Sequence, residues 1–448
     1  MDFQAFKQAV IEEAKALGIA AYELYYQAEE STSISAFKHE TNKFTSSAEG
    51  GVCFRCLHNG HMGYASTQEL SAEQAAALVR RAMDNADVLE SDEPEFLGEG
   101  GKTYQELDVV PYALPDTQQL TDCVLKAQDA VYAADNQVTD GGTSQAFSET
   151  YRIAIVNSNG LDLSYENSLA GVMLSAVVTD GTEKADSYKF KVGSFDKLDL
   201  GELANKAVTS AKSKLGAEVA PTGAYPVVFS PDAMADLLAT YVSVFSSESA
   251  QKGLSRLGDK EGQVIASPAV TLVDDPFHKD SPMPIAFDAE GSPTSRKNII
   301  ENGVLKTLLY NLKTASVAGK ETTGNAFKGS YASKVSIAPF TFYLAAGEIS
   351  EEELLRQAGN GVYINSLGGL HAGANVISGD FSLQSAGFMI ENGVKTTAVK
   401  SFTVAGNFYN LLGQIRTVAS NLELSDAAGM MNFGSPSVLV DGLSIAGK

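Results

Sequence analysis

The chain has 448 residues, 44% of them apolar and 20% charged, with 55 acidic against 33 basic side chains and a formal net charge of −22. That composition excludes the disordered and fibrous classes, and the length allows about two or three domains. The acidic field opposes general binding to nucleic acid or anionic lipid, and no run nears the ~18 apolar residues that span a bilayer.

In chain order, Asp2 predicts the cap of an amphipathic helix with Phe3, Phe6, Val10, Ala14 and Leu17 on one face and Gly18 at its end. The acidic residues Asp2, Glu12 and Glu13 in this segment read as neither a signal nor a transit peptide. Residues 20–38 alternate as strands. His58-Asn59-Gly60-His61 then marks a hairpin, because both central turn residues need positive φ. Ser71 and Gln74 predict a capping box for a helix through Leu89. Residues 90–115, with Glu90, Asp92, Glu93, Glu95 and Glu99 around Pro94 and Gly98, read as a solvated linker. A helix over 116–134, strands over 143–192 with Asn159-Gly160 and Asp180-Gly181 turns, and a helix near 199–215 follow. Pro221-Thr222-Gly223 marks a second boundary. Beyond it come a strand at Tyr225–Phe229 and a helix from Ser230-Pro231 to about Ser246. Ile299–Val304 and Met389–Val394 echo each other as two Asn-Gly hairpins.

The expected fold is α+β. N-terminal α/β segments with antiparallel sheets, 1–95 and 110–220, precede a larger β-rich C-terminal domain, 223–448. Three cysteines, Cys53, Cys56 and Cys123, are too few for a disulfide framework, and the expected compartment is the reducing cytoplasm.

Cys53-Phe-Arg-Cys56-Leu-His58-Asn-Gly-His61 resembles a zinc site, but hairpin register puts Cys53 on the face opposite Cys56, so at most three ligands converge. Gly98-Glu-Gly-Gly101-Lys102-Thr103 mimics the end of a phosphate-binding loop, but Phe96 stands where the first glycine belongs. There is no Gly-x-Ser-x-Gly and no His-Glu-x-x-His. His278 lies in a polar stretch that reads as a solvated loop. His371 lies in a glycine-rich loop before Ser378-Gly-Asp-Phe-Ser382; either a tight turn or a bound peptide suits such close backbone approach.

Asn375-Val-Ile-Ser-Gly-Asp-Phe-Ser382, Ser385–Gly393 and Val404-Ala-Gly-Asn407 together resemble the C-terminal signature of the TldD/PmbA family, also labelled modulator of DNA gyrase. Phe287-Asp-Ala-Glu-Gly291, Thr323-Gly-Asn-Ala326 and the hairpin from Gly51 to Thr67 fit the same family, in the expected order along nearly the whole chain. The resemblance implies a zinc peptidase branch, TldD-like, in which a helix carries His-Glu-x-x-x-His and a late cysteine completes the ligands. Matching the downstream Gly253-Leu-Ser255 lays that motif on Leu238-Ala-Thr-Tyr-Val-Ser243, which has no histidine or glutamate, and no cysteine follows Cys123.

The chain therefore resembles the PmbA branch, also called TldE. The resemblance implies a homodimer or a heterodimer with a TldD-like chain and a peptide or unfolded-protein substrate. Zinc is expected only in that partner, so this chain has no cofactor, no metal residue and no catalytic residue of its own. Direct nucleic-acid and membrane binding are not expected. Candidate substrate-binding residues are His371, Asn375, Gly379, Asp380 and Ser382. The alternatives are an autonomous metallopeptidase with an unrecognised site and a protein-binding regulator of a DNA-handling enzyme such as gyrase.

Overall fold

The computed structural model describes residues 1–90, 94–107, 114–424 and 430–448. The predicted linker residues Asp92 and Glu93, and the linker's stretch over 108–113, lie outside them. The fold is α+β with antiparallel sheets, as expected.

Helix α1 (Phe3–Ala16) is capped by Asp2, whose carboxylate accepts the Ala5 N–H at 2.8 Å, and it buries Phe6, Val10 and Ala14. Leu17 does not join that face. It is the C-cap residue and is 38% exposed, because the chain has already left the helical path toward Gly18. Strand β1 (Tyr22–Phe37) is one continuous 16-residue strand. It pairs with β2 (Glu40–His58), which turns through Asn59 and Gly60, both at positive φ, into β3 (His61–Thr67). Helix α2 (Ala72–Asp87) carries half of the predicted capping box. Ser71 accepts the Gln74 N–H at 3.2 Å, but the Gln74 side chain accepts from Arg81 instead of reaching back.

After helix α3 (Thr117–Ala134) come β4 (Val138–Thr139), β5 (Thr143–Asn157), β6 (Asp162–Thr179), β7 (Lys184–Val192) and helix α4 (Leu200–Lys212). Asp116 and Gln119 complete a reciprocal capping box on α3. Strand β5 pairs antiparallel with β1 along its full length, so the first two segments share one sheet, ordered β3-β2-β1-β5-β6-β4 with β7 on β6. The even-numbered side chains of β1 face helices: Tyr22 and Leu24 pack under α1 and α2, Ile34 and Ala36 under α3 and α4. From the other face, Tyr25, Cys53, Ile153 and Ile155 pack on Met283, Ile285, Phe287 and Phe340 of the third segment. Cys53 and Cys56 thus belong to opposite faces.

The linker is packed where it is described. Asn157 donates to the Gly98 carbonyl at 2.9 Å and Tyr104 to the Gly291 carbonyl at 2.8 Å. A Cβ on Gly98 would stand 2.0 Å from the Glu290 carbonyl oxygen, so these glycines permit close contact between backbones. Acidic composition had pointed to solvent; the glycines and Tyr104 bind the segment down instead.

The third segment opens with β8 (Gly223–Phe229) and helix α5 (Pro231–Tyr241), with Ser230 as N-cap and Pro231 in the first turn. The predicted helix to Ser246 is shorter, because Val242–Phe245 tightens into a 3₁₀ turn that buries both Val244 and Phe245. One sheet has six described strands, in the order Val394–Asn407, Asp380–Glu391, Gly361–Gly368, β8, Val438–Ala446 and Ile415–Val418. A second sheet of six described strands is centred on Leu272–Asp274 and Thr341–Leu344. Pairing is antiparallel except between β8 and Gly361–Gly368 and between Thr341–Leu344 and Asn432–Ser435. One apolar core joins the two sheets to α5: Phe229, Leu238, Tyr241, Phe245, Phe342, Phe402 and Phe408 are buried together in it. Both echoed hairpins form, with Asn302 and Asn392 at positive φ. Among the described residues no helix is long and apolar enough to cross a membrane.

Candidate functional site

Two groups of motif residues gather at two separate places. The first surrounds a cleft of about 450 Å³ lined by Gly253, Leu254, Ser255 and Arg256 on one side and Asn375, Ile377 and Ser378 on the other. By contrast, the cavity beside Asp288 is about 10 Å³, room for a single water at most.

Local hydrogen bonds build the 375–380 wall. The Asn375 side chain accepts the N–H groups of Ile377 and Ser378, both at 3.0 Å, an Asx turn. Gly379 follows at φ +82°; a Cβ there would stand 2.5 Å from the Tyr409 ring, so glycine suits both its backbone and its neighbour. Asn407 secures the wall from behind. Its amide donates to the Asp380 carboxylate at 2.7 Å and to the Ser378 carbonyl at 2.8 Å, while its oxygen accepts the Asn410 N–H and caps helix Phe408–Gln414. These bonds, with Asn407 first, then Ser378 and the positive charge of Arg256, hold the Asp380 carboxyl below the usual carboxylate range. The opposite wall is tied down by Ser255, which donates to the Val244 carbonyl at 2.6 Å. The Arg256 guanidinium lies 5.2 Å from the centre of the Tyr409 ring and forms no ion pair among the described residues. Leu254 and Ile377 are 44% and 53% exposed, so the cleft offers a cation, amide and hydroxyl groups and two open apolar side chains.

Of the predicted residues, Asn375 lines the cleft, and Gly379 and Asp380 form the back of its wall. His371 is exposed in a short helix, Leu370–Gly373, beyond the lining. Ser382 lies exposed on the strand Asp380–Glu391; its carbonyl receives the close approach of Gly373. Arg256, Tyr409 and Tyr241 were not singled out from sequence. The position of Arg256 beside Gly253-Leu-Ser255 was the available signal. His278 is packed against Tyr343 with its side chain 14% exposed, not solvated as its polar loop suggested.

The second group is a buried polar junction between the first sheet and the third segment. The Arg55 Nε–H donates to Glu23 at 2.8 Å, and a terminal guanidinium nitrogen lies 2.7 Å from the same carboxylate oxygen, with both side chains at most 5% exposed. Asp288 accepts backbone N–H groups from Glu290, Ser292 and Ala326 at 2.8–3.0 Å, and Glu290 accepts that of Leu312 at 2.8 Å. Burial raises both carboxyls, and each makes the other harder to ionise. Asp288, with three N–H donors, is the better site for the charge, leaving the proton on Glu290. Asn325 donates to Asp274 at 2.7 Å in the same region. The motifs Phe287–Gly291 and Thr323–Ala326 therefore join the segments and do not line the cleft.

Helix α5 stands behind the cleft. Tyr241 stacks on Phe408 at 4.5 Å and donates its hydroxyl to the Asp380 carbonyl at 2.9 Å. Leu238 is fully buried, and the Thr240 hydroxyl donates to the Asp236 carbonyl of its own helix. The helix carboxylates are Asp232, paired with Lys189 at 3.1 Å, and Asp236, which burial and the charge of Asp232 push up to about 6.

The sheets and helices form a fold shared with solved proteins of other organisms. Models of the PmbA/TldA metallopeptidase domain 1, central domain and C-terminal domain match residues 22–86, 111–215 and 222–447. The chain belongs to the PmbA/TldD metallopeptidase family. It is 27% identical to a metalloprotease PmbA homolog of Haemophilus influenzae, over 93% of this chain and 90% of that one. A Thermotoga maritima structure labelled modulator of a DNA gyrase is 32% identical with a TM-score of 0.89, covering 99% of this chain and 100% of that one. TldE from Thermococcus kodakarensis is 25% identical with a TM-score of 0.87, over 99% and 100%. These relatives place the chain in a TldD/PmbA-type, peptidase-related role.

A metallopeptidase family implies a metal, and the donor chemistry here does not fit one. Catalytic zinc takes imidazole, thiolate or carboxylate donors, whereas Leu238–Ser243 supplies aliphatic side chains and hydroxyls, with the Tyr241 hydroxyl committed to a backbone carbonyl. Among the described residues no three His, Cys, Asp or Glu side chains cluster as metal ligands.

Proposed function

We propose that this chain is a PmbA/TldE-like subunit of a TldD/PmbA-type peptidase system, without a catalytic zinc of its own, that holds peptide for an active TldD-like partner. The observation that carries this reading is the donor set of Leu238–Ser243 beside an intact cleft. The helix has no metal-ligating side chain in that hexad, while the walls in front of it keep their hydrogen bonds. Leu254 and Ile377 offer apolar contact to peptide side chains, and Asn375, Ser378 and Arg256 offer polar and charged contact.

The test is metal content and peptide cleavage by the chelator-washed chain, alone and mixed with a TldD-like chain from the same cell. The expected result is substoichiometric zinc and no cleavage alone, with co-purification and cleavage by the pair. Metal-dependent cleavage by the unaltered chain, surviving removal of every TldD-like contaminant, would overturn the proposal.

A further inference from the structure

The side chains of the cleft offer hydrogen-bond donors from both walls and no carboxylate. Ser255 is committed: it donates to the Val244 carbonyl at 2.6 Å and accepts the Leu257 N–H at 3.2 Å. The Ser378 oxygen accepts the Asp380 N–H at 3.2 Å, which leaves its O–H to donate. The Asn375 oxygen is taken by the N–H groups of Ile377 and Ser378, so its other terminal atom is the NH2. Among the described residues neither that NH2 nor the Arg256 guanidinium has an acceptor, and both residues are exposed. None of the described lining residues is Asp or Glu.

Tyr409 fixes how these donors sit. Its hydroxyl accepts the Arg256 backbone N–H at 3.3 Å, and its ring centre lies 5.2 Å from the guanidinium. A Cβ on Gly379 would meet the same ring at 2.5 Å. One ring therefore touches both walls and holds the cation without neutralising it. The carboxylate behind the wall, Asp380, accepts from Asn407 at 2.7 Å and forms no ion pair among the described residues.

Donors of this kind select an anionic group that only accepts, a carboxylate. A peptide has two sources of one, its carboxyl terminus and an Asp or Glu side chain. Size and the apolar rim favour the terminus. A cleft of about 450 Å³ encloses a small ligand, such as the last few residues of a chain, and not a folded domain. A terminal residue presents its carboxylate and its own side chain from one Cα. The cleft likewise presents its donors together with Leu254 and Ile377, which are 44% and 53% exposed.

We propose that the cleft captures the free carboxyl terminus of a peptide, with the α-carboxylate on Arg256 and Asn375 and an apolar last side chain against Leu254 and Ile377. Tyr409 is a positioning residue for that contact. The proposal rests on the peptide-holding function above and narrows it: the chain selects open chain ends, and an active partner is left to cut on the N-terminal side of the residues held here. A chain of net charge −22 repels anions broadly, so this selection is local to the cleft.

Three short labelled peptides test this against the full chain by calorimetric titration: one ending in leucine as the free acid, its C-terminal amide, and the same amide with a glutamate before the leucine. The free acid is expected to bind about tenfold or more tighter than either amide. Asn375→Asp keeps the oxygen that the Ile377 and Ser378 N–H groups use but replaces the donors with a carboxylate, and Arg256→Gln removes the cation. Each is expected to abolish most of the preference for the free acid without changing thermal unfolding. Equal binding of free acid and amide would overturn the inference and leave the peptide-holding function standing. Binding of the glutamate amide as tight as the free acid would assign the cleft to acidic side chains and overturn it as well, as would an unchanged preference in both variants. No binding of any peptide, by the chain alone or mixed with a TldD-like chain, would overturn that function and the inference with it.

Discussion

Tyr241 of helix α5 donates its hydroxyl to the backbone carbonyl of Asp380 at 2.9 Å, across 139 residues of sequence. This bond fastens the motif wall to the helix behind it, while the tyrosine ring stacks on Phe408. Tyr241→Phe keeps the stack and loses the bond, so the expected loss of stability is about 1–2 kcal/mol. Tyr241→Ala also opens a cavity and is expected to cost about 3–5 kcal/mol. Urea denaturation of the two variants distinguishes these costs; equal losses would mean that the hydroxyl contributes nothing separable from the ring.

Among the described residues Arg256 is the only cation lining the cleft, and Tyr409 supports it. Arg256→Ala is expected to weaken binding of a peptide with an anionic end about tenfold, and to affect its amidated, uncharged counterpart much less. Fluorescence anisotropy at two salt concentrations checks this, because the unaltered chain's preference for the anionic form is expected to shrink as salt rises. An equal loss for both peptides would place the arginine in a structural role.

The pair Asp288 and Glu290 predicts a stability that falls as pH rises. Burial raises both carboxyls, so the native state holds a proton on Glu290 that the unfolded chain gives up in the ordinary carboxylate range. The stabilisation is fully present below about pH 4 and is lost as pH climbs through the raised value. Glu290→Gln keeps an acceptor for the Leu312 N–H and needs no proton. The variant is expected to gain on the unaltered chain by about 1–3 kcal/mol between acid and mildly alkaline pH, measured by denaturation across that range. A constant difference would show that folding leaves the Glu290 carboxyl at its ordinary value.

Cys53 and Cys56 predict slow thiol chemistry. Both are buried, and burial pushes the Cys56 thiol up to about 11 and raises that of Cys53. Alkylation in native buffer at pH 8 is expected to proceed only as fast as local unfolding exposes them. Cys56→Ser is expected to cost about 1–2 kcal/mol for its buried hydroxyl and to leave peptide binding unchanged. Fast stoichiometric labelling of the native chain would contradict this account.

Chemistry confined to a few neighbouring residues was legible in the sequence. Asp2, Asn59-Gly60 and Ser230-Pro231 each fix a helix start or a turn through their own side chain or φ, and each does so here. Asn375 and Asp380 were legible as parts of a motif, and they build the cleft wall among themselves. Features depending on distant partners were not legible. Gln74 is drawn away by Arg81, Gly98 lies against Glu290, and the backbone N–H of Arg256 meets the Tyr409 hydroxyl 153 residues on. No local pattern marks such encounters, which is why the linker read as solvated and Arg256 escaped notice.

The pairing of β1 with β5 has a consequence for synthesis in the cell. β1 can meet β2 as soon as both leave the ribosome, but its other edge stays bare until Thr143–Asn157 emerges roughly a hundred residues later. At about 5–20 residues per second, that is a wait of about 5–20 s. Throughout it, Tyr22–Phe37 offers a 16-residue ladder of unsatisfied backbone groups to any passing strand. The nascent chain is therefore most exposed to misassembly before the middle segment arrives, and a pause in translation just upstream of Thr143 would lengthen that hazard.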